Sequence, residues 1–272
     1  MQIPQKKIIA VHDLSGIGLA SLTAALPIIS AMGSAVCPMP TAILSTITGV
    51  FTGFTFVDLT DHMQETLEHW KTLDMKFNYI YSGFLGNSKQ VDIILDTKKA
   101  FDDCSLIVDP VFADEGKLYP TMDMSMVANM RKLIAKADII TPNVTEAMFL
   151  LGEDELPENR EVVKNWLVRL CAKGCKKAAI TSLRDGEDIY VMAYEAETGE
   201  FFEIIRHYIP VSLHGTGDVF TSVLVGAIAR GDSFYKATET ASDFVYKAIE
   251  ITLAEGADIR EGIRIQKLLK EL

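Results

Sequence analysis

Five consecutive residues, His214-Gly215-Thr216-Gly217-Asp218, carry the clearest chemical signal in this chain. Two glycines flank a hydroxyl residue, an aspartate follows, and an apolar run with helical spacing, VFTSVLVGAIARG, comes next. The first amides of a helix have no partner inside it and point at whatever lies beyond the terminus. The helix dipole adds roughly half a positive charge there. Glycine lets an anion approach the backbone closely. The block therefore predicts an anion trap with a carboxylate, Asp218, held beside it, a layout suited to phosphoryl transfer. Read alone, the four residues from Gly215 are equally a loop that caps a helix, with Thr216 or Asp218 as the N-cap.

The elements that must position this block are strands alternating with helices. Residues 7–11 form a short, wholly apolar strand of the kind buried on both faces of a parallel sheet. A turn through residues 13–16 then leads to a helix over 18–31, which Pro27 would kink. Further strands are expected over 35–39, 79–81, 106–108, 139–140 and 178–180. Residues 41–56 read as an irregular or edge-strand segment. Helices are expected over 61–73 (capped by Thr60), 88–101, 122–136, 145–151, 161–173, 217–230 and 234–255, with a C-terminal helix running to residue 272. Residues 187–193 and 200–208 alternate and flank Thr198-Gly199, as a β-hairpin does. The order argues for a mostly parallel sheet with helices on both faces, built as a single domain over 1–272.

Ligands of open α/β sheets bind beyond the carboxyl ends of the strands. In this chain those ends carry His12-Asp13, Thr48-Gly49, Ser82-Gly83-Phe84, Asp109-Pro110, Asn143 with Glu146, Thr181-Ser182, and the glycine block. Turn chemistry accounts for part of this, since Asp109 and Asn143 stand next to prolines. Seven polar endings in a row favour a shared site.

Bulk properties narrow the function class. The 272 residues are 49% hydrophobic and 23% charged, an ordinary packed globule. A net charge of −11 disfavours nucleic acid and anionic membranes as partners. Cys171 and Cys175 are the only close cysteines, a poor zinc signal without a nearby histidine, and Cys37 and Cys104 stand apart. The apolar residues near the N-terminus are too few for a signal-peptide core. The stretch 19–36 is interrupted by Pro27 and Gly33 and reads as a helix and a strand, not a membrane span. A soluble, cytoplasmic protein is expected.

Longer motifs make the reading specific. DPVFADEGKLY (109–119), TPNVTEAMFLLG (141–152), TSL (181–183), GTGDVFTSVLVGAIARG (215–231) and YSGFLGN (81–87) together resemble the ribokinase-like (PfkB) superfamily, and within it the kinases of pyridoxal, pyridoxine and pyridoxamine. The resemblance spans essentially the whole chain. It implies a three-layer α/β/α fold with a mostly parallel central sheet and no separate sugar-kinase lid, since the first strand here passes directly into residues 13–16. It implies an ATP- and Mg2+-dependent kinase acting on the 5′-hydroxymethyl group of a B6 vitamer, leaves room for a monovalent cation, and implies a homodimer. By position, Asp218 resembles the general base, and Gly215, Thr216 and Gly217 the anion hole for the transferred phosphoryl group. Asn143 and Glu146 resemble the pair that holds Mg2+ through water, supported by Asp109 and Asp114. Thr181 and Ser182 would touch the ATP phosphates. His12, Asp13, Thr48 and Phe84 would line the vitamer pocket.

Two departures bear on the acceptor. Many pyridoxal kinases have Ser-His where this chain has Val11-His12, and Ser-Gly-Tyr where it has Ser82-Gly83-Phe84. Losing a hydroxyl keeps the stacking surface but removes a hydrogen bond. The segment HDLSGIGLAS also resembles hydroxymethylpyrimidine kinases, which carry an Asp-Pro-Ser-Gly turn near there. That activity, a sugar or nucleoside kinase, and a vitamer-binding protein without turnover stay open. His214 either orients phosphate or is a neutral histidine ahead of the loop.

Overall fold

The computed structural model describes residues 5–48 and 50–272; Gly49, named above after Thr48, lies outside the described residues. Eleven strands and eight helices follow one another as β1 (Lys7–Ile17), α1 (Ser21–Ala31), β2 (Ala35–Thr46), β3 (Phe56–Asp58), α2 (Thr60–Lys71), β4 (Tyr79–Ser82), α3 (Ser88–Ala100), β5 (Ser105–Val108), β6 (Ala113–Asp114), β7 (Lys117–Leu118), α4 (Met124–Ile134), β8 (Ile139–Ile140), α5 (Val144–Leu151), α6 (Arg160–Cys171), β9 (Lys177–Asp185), β10 (Asp188–Glu195), β11 (Glu200–His207), α7 (Thr216–Arg230) and α8 (Phe234–Ala254). Nine strands form one sheet in the order β11-β10-β9-β8-β5-β4-β1-β2-β3. Pairing is parallel from β9 through to β2, and antiparallel at both edges, where β10 and β11 form the expected hairpin.

Strands read as wholly apolar are so because both faces are covered. Ile9 and Val11 pack into the core formed with α2 to α6, while Ile8 packs into the core formed with α1, α7 and α8. In β5, Leu106 and Val108 face the first core and Ile107 the second. This is the three-layer α/β/α arrangement expected from the sequence.

Four local expectations differ from the structure. Residues 13–16 are strand, not turn. β1 continues to Ile17 beside β2, which passes Pro38 and Pro40 and reaches Thr46. Gly16, read as a turn residue, is a close-approach glycine: a Cβ there would lie 2.9 Å from the Ser45 carbonyl oxygen. Prolines are tolerated in β2 because its outer neighbour β3 pairs only with Ala42, Ile43 and Leu44. No separate sheet is inserted between β1 and α1; these two strands lengthen instead. Pro27 sits inside α1 without ending it. Helix α2 starts after Leu59 with no side-chain cap, and Asp58 accepts the Thr60 N–H at 2.8 Å. Thr181-Ser182 is mid-strand, since β9 runs on to Asp185. The C-terminal helix is absent among the described residues: Gly256 and Gly262, both with positive φ, break it into 3-10 turns at Ile259–Glu261 and Leu269–Glu271. The hairpin of β6 and β7 was not foreseen, although Glu115-Gly116, both with positive φ, is the two-residue turn such a hairpin requires. No described helix is long and apolar enough to cross a membrane.

Candidate active site

The glycine block sits where α7 begins, in the cleft beyond the carboxyl ends of β5 and β8 and beside Thr181 and Ser182 in the middle of β9. Gly215 caps the helix with φ of 84°. A Cβ there would lie 2.1 Å from the Leu19 carbonyl oxygen, so only glycine fits. The first bond of the helix runs from the Val219 N–H to the Gly215 carbonyl at 2.9 Å. The N–H groups of Thr216, Gly217 and Asp218 therefore precede the ladder and are free to meet an anion. Gly217 leaves the cleft side open: a Cβ there would point toward Asp109, 3.9 Å from Oδ2.

Asp218, in the first turn of α7, is buried, and burial lifts its pKa to about 7 against the opposing Ser21 backbone N–H. Its Oδ1 has no hydrogen-bond partner and lies 3.7 Å from His12 Nδ1. His12 is fully buried, and burial drives its pKa down to about 3, so the imidazole is neutral and the pair is not an ion pair. The ring meets Tyr81 edge-on, with centroids 4.2 Å apart. It also explains Gly83: a Cβ there would lie 2.1 Å from the His12 ring. His12 thus forms the wall behind Asp218.

Asn143 and Glu146 form a reciprocal cap on α5. The Glu146 N–H donates to Asn143 Oδ1 at 2.9 Å, and the Asn143 N–H donates to Glu146 Oε2 at 2.9 Å. Glu146 Oε1 accepts the Phe112 N–H at 3.0 Å, and Asn143 Nδ2 donates to the Ala113 carbonyl. Val111, a β-branched residue at φ 43°, turns the chain toward that bond. Burial raises Glu146 to about 8, and raises Asp109 well above the carboxylate range with Glu146 and Asp218 adding to it. Thr221 Oγ1 donates to Asp109 at 3.1 Å and shares a hydrogen bond with Thr141.

These buried carboxylates have no cationic side chain among the hydrogen bonds and ion pairs described above. A divalent cation would supply the positive charge that these carboxylates lack and favour their ionised forms. Both Glu146 oxygens and the Asn143 oxygen already accept backbone N–H groups, and no compact cluster of three or more ligating side chains exists among the described residues. The donor set suits Mg2+, which keeps several waters and uses one or two carboxylates together with phosphates.

One cleft gathers Asp109, Asp114, Asn143, Glu146, Thr181, Ser182, Gly215, Thr216, Gly217 and Asp218, with His214 at its rim. Four predicted acceptor residues do not line it. His12 and Asp13 are buried behind Asp218, Phe84 lies in the core under α3, and Thr48 follows β2 in a turn. The cleft adds Val111, Tyr119, Thr141, Leu213 and Thr221, to which no role was given. Thr221 was findable, one helical turn beyond Asp218; the conformation of Val111 leaves no trace in the sequence.

Comparisons with known proteins show the family and the fold. The phosphomethylpyrimidine kinase family matches residues 16–262. A hydroxymethylpyrimidine/phosphomethylpyrimidine kinase of Bacillus subtilis is 29% identical over 186 residues, covering 68% of each chain. Pyridoxal kinase of Arabidopsis thaliana is 30% identical over 188 residues, 65% of this chain and 59% of its own length. Among solved structures, a Bacteroides thetaiotaomicron protein, provisionally named a phosphomethylpyrimidine kinase, is 42% identical with a TM-score of 0.96 and covers all of this chain and 95% of its own. That protein has also been crystallised with pyridoxal. Pyridoxal kinase of Lactobacillus plantarum is 30% identical with a TM-score of 0.90, covering 98% of this chain and 96% of its own. With the anion loop, the buried carboxylate and the acidic cap all in place, the chain belongs to the phosphomethylpyrimidine kinase family, whose members include pyridoxal kinases, and is a kinase that phosphorylates a hydroxyl group.

Proposed function

We propose that the protein transfers the γ-phosphoryl group of ATP to the 5′-hydroxymethyl group of a B6 vitamer. The observation that carries this is the pairing of Asp218 with the open N-terminus of α7. A carboxylate with a pKa near 7 is a base matched to neutral pH. The adjacent amides of Thr216 and Gly217 are fixed in advance, and such preorganised dipoles stabilise the transition state without reorganising. Asp218 accepts the hydroxyl proton as that oxygen attacks phosphorus, and the amides hold the phosphoryl oxygens. Asn143 and Glu146, with Asp109, would hold Mg2+ through water, and the ion would neutralise phosphate charge. Thr181, Ser182 and Asp114 flank the nucleotide. The choice of a B6 vitamer rests on the motifs YSGFLGN and DEGKLY and on the relatives that bind pyridoxal or carry that name.

A homodimer and a cytoplasmic location belong to the same proposal. The dimer is supported by Leu14, Ile17, Ile43, Phe56 and Val57, apolar side chains left exposed on β1, β2 and β3. Sedimentation of the parent chain tests it, and a monomer at micromolar concentration would overturn it.

The reaction is tested by ADP release from Mg-ATP with pyridoxal, pyridoxine, pyridoxamine and hydroxymethylpyrimidine in parallel, Asp218→Asn as control. Turnover of a B6 vitamer that the variant lacks is the expected result. Turnover of the pyrimidine alone moves the protein to thiamine-precursor phosphorylation. Binding of pyridoxal without ADP release makes it a vitamer-binding protein.

A further inference from the structure

Asp109, Thr141 and Thr221, all buried, meet where three elements converge on the cleft. Asp109 follows β5, Thr141 follows β8, and Thr221 stands one helical turn after Asp218 on α7. Thr221 Oγ1 lies 3.1 Å from Asp109 Oδ2 and 2.9 Å from Thr141 Oγ1. A hydroxyl has one proton to give, and beside a divalent cation Asp109 is ionised and can only accept. The Thr221 proton therefore goes to Asp109, and the Thr141 proton goes to Thr221. The relay has one direction, and linked hydrogen bonds of this kind strengthen one another. The main chain around it is already fixed. The Asp109 N–H donates to the Ser82 carbonyl at 2.8 Å, and the Thr141 N–H donates to the Val108 carbonyl at 3.0 Å. Beneath the start of α7, the Leu19 N–H donates to the Glu261 carbonyl at 3.0 Å, and the Ile263 N–H donates to the His214 carbonyl at 3.1 Å. What is left to fix is the rotation of the Asp109 carboxylate. Thr221 is the one side chain that hydrogen-bonds it among the described residues, and it takes Oδ2. Oδ1 is left for the cleft that Asp109 lines.

We infer that Thr221 is a positioning residue, with Thr141 as its support: the hydroxyl relay fixes the rotation of the Asp109 carboxylate and so presents its other oxygen to the cleft where Mg2+ would be held. This rests on the proposed reading in which Asp109 helps to hold the ion through water. Both hydroxyl protons are engaged within the relay, so neither is available to nucleotide or acceptor. Loss of the relay therefore weakens the metal's contribution and leaves binding of the metal-free nucleotide in place.

Substitutions at Thr221 separate this role from packing. Valine keeps the shape and removes the hydroxyl, whereas serine keeps the hydroxyl and removes a methyl group. A residue that only packs tolerates valine better than serine, and a positioning residue reverses that order. The readout is the factor by which Mn2+, standing in for Mg2+, tightens binding of a non-hydrolysable ATP analogue. Calorimetry with and without the ion measures it, and no turnover is involved. The expected result is a fall of about tenfold in that factor for Thr221→Val, the low end of what partners outside the coordination sphere contribute, and about twofold or less for Thr221→Ser. The analogue without metal binds both variants with the parent Kd. Thr141→Val should cost about threefold, and adding it to Thr221→Val should cost nothing further, because its proton reaches Asp109 only through Thr221. A loss in Thr221→Ser equal to or larger than that in Thr221→Val overturns the inference, as does an unchanged Mn2+ factor in Thr221→Val. Asp109→Asn is the control on the reading beneath it. If that variant keeps the parent factor, Asp109 does not serve the metal, and the inference falls with that reading. If Asp109→Asn loses the factor while Thr221→Val keeps it, the metal reading stands and the relay alone is refuted. The acceptor enters none of these measurements, so they decide the inference whether the phosphorylated hydroxyl belongs to a B6 vitamer or to a pyrimidine.

Discussion

Replacing Asp218 by asparagine should make the protein more stable and less active at once, and the gain in stability should depend on pH. The folded protein raises the Asp218 pKa from 3.8 to about 7, chiefly by burial. The folded chain therefore prefers the protonated form. Stability from this group is fully present below the unfolded pKa and is lost as pH rises through the folded value. At about 1.4 kcal/mol per unit, the loss from one such group approaches about 4 kcal/mol above neutrality. Working the linkage between pH 5 and pH 8.5 leaves a difference of about 2–3 kcal/mol, since part of the loss has already occurred at pH 5. An asparagine of the same shape carries no such dependence. Urea unfolding of both proteins at the two pH values measures it. The expected outcome is a stability advantage for Asp218→Asn that widens by about 2–3 kcal/mol on going to pH 8.5, with turnover at least about a hundredfold lower. The same advantage at both pH values would refute the assignment of a raised pKa to this carboxylate.

Three further outcomes follow from the same geometry. In the proposed reaction Asp218 must be ionised to accept the proton, so kcat/KM should rise with pH through about 7 and level off above it, read from ADP release across a buffer series. Glu146→Gln removes a carboxylate that can ionise toward Mg2+ and should raise the Mg2+ concentration needed for half-maximal turnover; overlaid Mg2+ titrations of variant and parent would contradict the metal role of that residue. Gly83→Ala places a Cβ 2.1 Å from the His12 ring and should cost about 1–3 kcal/mol by overpacking, measured by urea unfolding, with a loss of turnover as His12 is pushed toward Asp218.

The parts of the site visible in the sequence are those where composition and chemistry coincide. Gly215, Gly217 and Asp218 could be placed at a helix start because an apolar run of helical spacing follows two glycines and an aspartate. Asn143 and Glu146 could be read because their spacing is also that of a capping box, and the structure shows that they make one. What stayed hidden depends on long-range placement. Gly16 and Gly83 look like turn glycines but are spaces cleared for Ser45 and His12. Residues 13–16 look like a loop because their extended form is imposed by β2, about 30 residues later in the chain. Ser21, inside the helix expected over 18–31, opens α1 and bonds an aspartate of β1. His12 follows an apolar run like any strand end, and only the packing of Tyr81 and Gly83 shows how its ring is wedged beside Asp218.

The brace between Leu19 and Glu261–Ile263 has a consequence for how the protein is made. A cell synthesises the chain from its N-terminus at about 5–20 residues per second, so Leu19 exists well before its partner, about 240 residues further on. The central strands and their helices can assemble in the meantime from nearer contacts. The floor beneath the phosphate loop cannot, because Gly262 must first slot between the carbonyls of His214 and Leu19. The sheet of a growing chain is thus laid down before the brace that closes the phosphate loop from beneath.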